Sequence, residues 1–208
     1  MATRLVILGA GGHGRAVADL ARECVFTVAG FLDREPGRPE LLGRDVDLVS
    51  LHRTGAFDAA LVGVGNSALR RRAELFHLLK EAGIPAPALV HPHAVVSRSA
   101  RVGAGAVVFA GCVLGAGVEV GDNAVLYSGV LAEHDCRIAD HAYLSPGVIL
   151  SGSVQVEAGA FLGSGAVVLP GLTIGKDAVV AAGAVVIADV AAGETVMGTP
   201  ARPRESRR

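Results

Sequence analysis

The chain has 208 residues, 51% hydrophobic and 19% charged, enough for one large or two small domains with buried cores. Its formal net charge of −1 argues against a nonspecific nucleic-acid binder, and three cysteines without a C-x-x-C pair oppose both a disulfide framework and a structural zinc site. No signal peptide opens it and no apolar run is long enough to span a bilayer, so a soluble cytoplasmic protein with no membrane or nucleic-acid partner is the expectation. In chain order, Arg4–Leu8 is a short apolar run closed by Gly9 and reads as a buried strand. Residues 14–23 place Ala16, Val17, Leu20 and Ala21 on one helical face, and 25–32 form a second strand. Residues 37–54 read as a loop with a short helix, and 59–64 as a third strand. Leu69–Glu81 is a helix with Leu75, Leu78 and Leu79 on its apolar face and Gly83 as C-cap, and 85–90 leads into a fourth strand. This alternation predicts an α/β, Rossmann-like half-domain over residues 1–92, a small parallel sheet covered by helices.

The grammar changes at His91-Pro92-His93. From Val96 to Val186 every sixth residue is Val, Leu or Ile, with Ala132 the exception. Four residues after each of these stands a small or medium apolar residue, such as Ala106, Cys112, Ala124, Val130, Cys136 and Ala142. Neither a helix nor a plain strand has a period of six. A parallel β-helix does, with each hexad forming one side of a three-sided prism and about 18 residues per coil. The pattern predicts this all-β domain over residues 93–197, about five coils deep, with Gly where the chain must turn its corners at positive φ. The tail, residues 198–208, leaves the register, is rich in Pro and Arg, and is expected to pack loosely.

Two places carry chemistry. Gly9-Ala10-Gly11-Gly12-His13-Gly14 is a G-x-G-x-x-G between a strand and a helix, where backbone N–H groups and the helix N-terminus favour a phosphate. Asp33 ends the second strand, where a ribose-binding carboxylate belongs, and Gly63-Val64-Gly65-Asn66 borders the same crevice. The motif alone fits an NAD-dependent dehydrogenase, a holder of a nucleotide-linked sugar, or a tight turn that binds nothing. Only one mononucleotide-binding half precedes the β-helix, which weighs against the dehydrogenase. The second place is Ala132-Glu133-His134-Asp135-Cys136-Arg137, where the aliphatic column thins and titratable residues gather at a corner. An imidazole there points outward and is suited to taking a proton, with Asp135 or Glu133 to orient it. The competing reading is an exposed polar corner without duty. His141 and Tyr143 in the next hexad are candidates to line the same groove, while the histidine spacings fit no usual metal set.

On these residues the chain resembles the sugar O/N-acyltransferases of the sialic acid O-acetyltransferase NeuD and PglD type, which are hexapeptide-repeat acetyltransferases. The resemblance covers nearly the whole chain and rests on the pairing of the two domains. It implies a left-handed parallel β-helix, a homotrimer with active sites between neighbouring β-helices, acetyl-CoA as co-substrate and no metal. It implies acetyl transfer to the amino group of a UDP-linked 4-amino-4,6-dideoxy sugar in glycan biosynthesis. The catalytic positions fall on His134, a general base for direct transfer without an acyl-enzyme, and on Asp135, where Glu is usual. The sugar-nucleotide contacts fall on Gly11, Gly12, His13, Asp33, Arg34 and Gly65, with Arg34 replacing an acidic residue of some members. The acetyl-CoA contacts fall on Tyr143, where a second His is common, and on Gly152, Ser164 and Ala182. A backbone N–H near Gly152 is a candidate oxyanion donor, and Arg202 or Arg204 for the cofactor phosphates. Two alternatives stay open: O-acetylation of sialic acid or a related sugar hydroxyl, and a non-catalytic sugar-nucleotide-binding protein.

Overall fold

Strands β1 (Arg4–Leu8), β2 (Thr27–Leu32), β3 (Leu41–Gly43) and β4 (Ala59–Val62) form one parallel sheet in the order β3-β2-β1-β4. The computed structural model describes residues 2–35 and 40–204, and the chain divides into two compact units between Pro92 and His93. Leu5–Leu8 of the inner strand β1 and the whole of the edge strand β4 are buried apolar runs because a parallel sheet is covered on both faces. Helices α1 (Gly12–Glu23), α2 (Leu48–Arg53) and α3 (Leu69–Glu81) complete the unit. Val6, Leu8, Leu32, Leu48, Phe57, Leu75, Phe76 and Leu79 share one buried cluster.

One strand differs from the sequence reading. The fourth strand of this sheet is β3, inside the segment read as loop and short helix, and Leu89–Val90 does not belong to it. Three residues are too few to show a period, so pairing with β2 creates this strand rather than local pattern. Residues 36–39 of that segment lie outside the described residues.

The second unit is a parallel β-helix. Its two-residue strands pair with those one coil on, such as Val95↔Val113 and Leu131↔Ile149, and stack into three faces. The first face runs through Val95–Val96, Val113–Leu114, Leu131–Ala132, Ile149–Leu150, Val167–Val168 and Val185–Val186. The second holds five strands from Arg101–Val102 to Thr173–Ile174, and the third runs from Val107–Val108 to Thr195–Met197. Six strands on the first face make the prism slightly taller than the hexad count suggested.

The two sequence columns are the two walls of the core. Leu114, Leu126, Leu144, Leu150, Leu162, Val168 and Val180 are buried, and so are their small partners Ala106, Cys112, Ala124, Cys136, Ala142 and Ala160. Each large member contributes about 1.5–3 kcal/mol of transfer free energy. Between the columns one residue per hexad, from Gly105 to Gly183, has positive φ. Most are glycines, but Asn123, Asp135, His141, Ser153 and Asp177 hold the same conformation. Ala132 does not weaken the register, since it is fully buried and its strand pairs with both neighbours.

The tail is also better fixed than expected. Arg202–Pro203 pairs antiparallel with Thr195–Met197, and the Ala201 N–H donates to the Val185 carbonyl at 2.7 Å. These backbone bonds are independent of the hexad pattern, so their loss of register did not announce loss of order. Residues 205–208 lie outside the described residues.

Candidate active site

His134 leaves the prism at the edge where the first face ends, two residues beyond inward-pointing Ala132. Its side chain is 62% exposed. Asp135 next to it is a corner residue with φ +60. In a strand its carboxylate would point to the opposite face; the left-handed corner swings it back, and Oδ2 lies 2.9 Å from His134 Nδ1. A carboxylate oxygen accepts from Nδ1–H, and in the neutral ring this leaves Nε2 as the acceptor. Asp135, not Glu133, therefore holds the ring.

One coil further, Gly152 lies against that ring. A Cβ at Gly152 would stand 2.5 Å from His134 Nε2 and 2.6 Å from Cε1, so the missing side chain leaves the space at Nε2 clear. The Ser153 N–H donates to the His134 carbonyl at 2.8 Å, fixing the two coils in register at this edge. Among the described residues the Gly152 N–H has no backbone acceptor. Cys136 follows closely but points into the core, fully buried, with Sγ donating to the Ser151 carbonyl at 3.1 Å. Burial pushes its thiol pKa up, so it is a packing residue and not a thiolate.

The expected coenzyme positions separate. Ser164 and Ala182 are exposed and stack one coil apart at the other edge of the first face, where it begins. That edge carries the small pairs Ala110-Gly111, Ser128-Gly129, Pro146-Gly147, Ser164-Gly165 and Ala182-Gly183, so it presents mostly backbone. Tyr143 is only 4% exposed, and its ring lies 5.8 Å from Tyr127 and 5.9 Å from Phe161 in an aromatic stack. It is a packing side chain here rather than an open groove wall, because its strand places it between two aromatic neighbours on the third face. His141 sits at a different corner from His134, with Nδ1 3.0 Å from Asn123 Nδ2.

In the first unit the glycine-rich loop divides by role. Gly9 has φ +110, and a Cβ there would stand 3.1 Å from the Gly63 backbone; one at Gly14 would overlap the Gly9 carbonyl oxygen. These glycines serve the packing of β1, α1 and β4. Gly11 and Gly12 differ: both are exposed, and among the described residues no atom lies within 4 Å of where a Cβ would be. Nothing among the described residues needs glycine at these two positions. The open space lies at the N-terminus of α1, whose first turn has no acidic residue, and the positive end of a helix favours an anion.

Around this space, Asp33 accepts the Ala10 N–H at 2.7 Å through Oδ2. The carboxylate expected to meet a ribose thus also braces the loop. Arg34 is exposed, and Gly65 is extended at the start of the turn Asn66–Ala68. His13 is held at a pKa of about 3, chiefly by burial and then by the charge of Arg72. Arg72 is the residue the sequence reading missed. It is fully buried, donates from Nη1 to the carbonyls of Val62 at 2.9 Å and Val64 at 3.1 Å, and lies 3.4 Å from His13 Nε2. The available signal was its place on the buried face of α3, which runs Arg72, Leu75, Phe76, Leu79.

Among the described residues no group of three His, Cys, Asp or Glu is placed to hold a metal, and no helix is long and apolar enough to cross a membrane.

Known proteins resemble the chain in both units. The PglD N-terminal domain family matches residues 4–74, and the bacterial transferase hexapeptide family of six repeats matches residues 153–188. No curated protein sequence matches the chain. A point variant of perosamine N-acetyltransferase from Caulobacter crescentus, solved with CoA and GDP-perosamine, is 36% identical over 97% of both chains, with a TM-score of 0.93. The acetyltransferase domain of PglB from Neisseria gonorrhoeae, solved with acetyl coenzyme A, is 33% identical over 98% of this chain and 100% of its own, with a TM-score of 0.91. WeeI from Acinetobacter baumannii is 28% identical over 97% of this chain and 100% of its own, with a TM-score of 0.84.

Proposed function

The chain belongs to the sugar acyltransferases of the PglD and NeuD type, and from this premise we propose how it transfers the acetyl group of acetyl-CoA to the amino group of a nucleotide-linked amino sugar. The observation that carries the mechanism is the His134–Asp135 pair with its Nε2 facing the space that Gly152 leaves clear.

His134 is the general base. Asp135 holds the Nδ1 proton, so Nε2 accepts the proton of the sugar amine as its nitrogen attacks the thioester carbonyl. The new C–N bond forms, the oxyanion collapses, and the C–S bond breaks. The thiolate of CoA then takes the proton back from His134. The Gly152 N–H at this edge, which has no backbone acceptor among the described residues, is the oxyanion donor. The inward, buried Cys136 supports direct attack without an acyl-enzyme.

The acting unit is a homotrimer packed through the first face. Its outward column is Val95, Val113, Leu131, Ile149, Val167 and Val185, with Val95 65% and Ile149 40% exposed, and Leu169 and Ile187 add to it. The second face carries Arg101, Glu119, Arg137, Gln155 and Thr173 at the same positions and is suited to water. Three copies joined by their first faces bring the edge ending one face beside the edge beginning the next. His134 and Gly152 of one protomer then meet the small-residue edge of Ser164 and Ala182 of its neighbour, which accommodates the thin chain of acetyl-CoA along exposed backbone.

The sugar nucleotide binds at Gly11, Gly12, His13, Asp33, Arg34 and Gly65, with its diphosphate at the N-terminus of α1. Its sugar is of the 4-amino-4,6-dideoxy type. UDP is the first nucleotide to test, and GDP the second, since the Caulobacter relative was solved with GDP-perosamine. The test is thiol release from acetyl-CoA with UDP- and GDP-linked amino sugars and matched hydroxy sugars. Turnover with an amino sugar, reduced at least roughly hundredfold by His134→Ala, is expected. Turnover only with hydroxy sugars overturns N-acetylation. Background rates with every sugar, while the nucleotide still binds, overturn the enzyme reading of this site.

A further inference from the structure

The edge where the first face begins changes character along the prism. The residue that leaves the third face at each corner forms a column: Phe109, Tyr127, Ser145, Gly163 and Ala181. Their N–H groups donate to the coil above, to the carbonyls of Leu126, Leu144, Leu162, Val180 and Val196 in turn, at 2.8–2.9 Å, so the five stack in register. The column is bulky at its N-terminal end and lean from Ser145 onward. Phe109 and Tyr127 stack with ring centroids 4.4 Å apart and planes 15° apart, and Tyr143, one coil above, stands 5.8 Å from Tyr127. Aromatic neighbours below and above hold the Tyr127 ring in place.

The step from bulky to lean falls at the height of the reacting group. In three copies joined by their first faces, equal residues stand at equal heights around the threefold axis. Tyr127 precedes His134 by seven residues, in a coil of 18 from Val113 to its partner Leu131. The neighbour's Tyr127 therefore stands within roughly 2 Å of the height of His134, given a strand spacing of about 4.8 Å. A thin thioester chain laid along the neighbour's edge then has room only toward the C-terminal coils, past Ser145, Gly163 and Ala181. The facing edge agrees. Above Gly152 it carries Leu169-Pro170 and Ile187-Ala188, uncharged and exposed, whereas Glu133 beside His134 has the wrong sign for the cofactor's phosphates. We propose that Tyr127 is a specificity-determining residue: its ring, braced by Phe109 and Tyr143, walls off the acyl end of the site built on His134 of the neighbouring protomer and limits the transferred group to acetyl. The inference rests on the trimeric acetyl-transfer reading given above. The transfer step itself is unchanged, and the wall sets only the length of acyl chain that fits. It is steric, so the phenol hydroxyl is not required.

The test compares acetyl-, propionyl- and butyryl-CoA as donors to UDP- and GDP-linked amino sugars, using the full chain, with thiol release giving kcat/KM for each. Wild type is expected to favour acetyl over butyryl by more than about tenfold, the discrimination that misplaced methylenes produce in a fitted pocket. Tyr127→Ala is expected to cut that ratio at least about tenfold, while Tyr127→Phe keeps it. Tyr127→Leu, expected to shift the ratio less but in the same direction, serves where the alanine variant does not fold. A wild type that uses butyryl-CoA as well as acetyl-CoA overturns the proposal whatever the variants do. A folded Tyr127→Ala with the wild-type ratio also overturns it, and a raised KM for the sugar nucleotide in that variant makes the ring a sugar contact instead. No turnover of any acyl-CoA overturns the acetyl-transfer reading, and a monomeric wild type overturns the shared site. Either of these removes the wall with it.

Discussion

Replacing Gly152 by alanine tests the geometry of the candidate base directly. The added methyl would stand 2.6 Å from His134 Cε1 and 2.5 Å from Nε2. Nonbonded carbons settle at about 3.5–4 Å, so the ring must retreat by about 1 Å. A displacement of that size at a reacting group costs on the order of a hundredfold in rate, which is about 2.7 kcal/mol in activation free energy. The fold should barely notice. Gly152 is not in the left-handed region, and the three nearest atoms its Cβ would meet all belong to the exposed His134 ring, which can swing away. Thermal unfolding should therefore stay within the roughly 0.5 kcal/mol typical of a surface change. The assay is steady-state thiol release from acetyl-CoA with the amino-sugar substrate, alongside the melting curve. Wild-type kcat in a folded Gly152→Ala protein would refute the placement of Nε2 at the reacting nitrogen. A large loss of stability instead would show that Gly152 serves packing and not the site.

Three further outcomes are expected. Val25 follows α1 with φ +68 and an 82% exposed side chain, a β-branched residue in the left-handed region with little packing to lose. Val25→Gly should stabilise the fold by roughly 0.5–1 kcal/mol, seen as a rise of a few degrees in Tm, and an unchanged or lower Tm counts against the strain. His13 is at a pKa of about 3 folded against 6.5 as the ordinary value, so between those values the unfolded chain binds the extra proton. Stability is then unaffected above about pH 6.5 and falls below it, by about 2 kcal/mol at pH 5. Urea titrations should show this loss in wild type and not in His13→Gln, and parallel pH curves would disprove it. Finally, Ile149→Asp puts a charge in the apolar column of the first face and should convert a trimer to monomers in light scattering. A wild-type monomer, or a variant that stays trimeric, would remove that face as the subunit contact.

How much of this could be read from the chain alone depended on whether local pattern or distant contact decided each feature. The six-residue period fixed the β-helix because every hexad repeats the same demand: one large and one small residue must point inward, and a mismatch would expose both. The period even located the corner that carries His134. The helix Leu69–Glu81 was equally plain, since thirteen residues span several turns of apolar periodicity. Strand β3 was not, because its three residues carry no period and exist as a strand only through β2. The G-x-G-x-x-G was visible, but not that Gly9 and Gly14 serve packing while Gly11 and Gly12 stand open, a distinction set by how closely Gly63 approaches.

The sequence by itself determined the prism, the half-sheet before it, and the residue types at both sites, because these follow from periodicities of hydrophobic burial along one strand of chain. Only the tertiary structure decided that Asp135 turns back to hold His134, that Gly152 clears the space beside its ring, that Tyr143 is packed inside an aromatic stack, and that Arg72 reaches His13. Each of these depends on a left-handed corner or on residues one coil or one helix away. Such contacts leave no spacing in the sequence, because the distances that matter run across the chain and not along it.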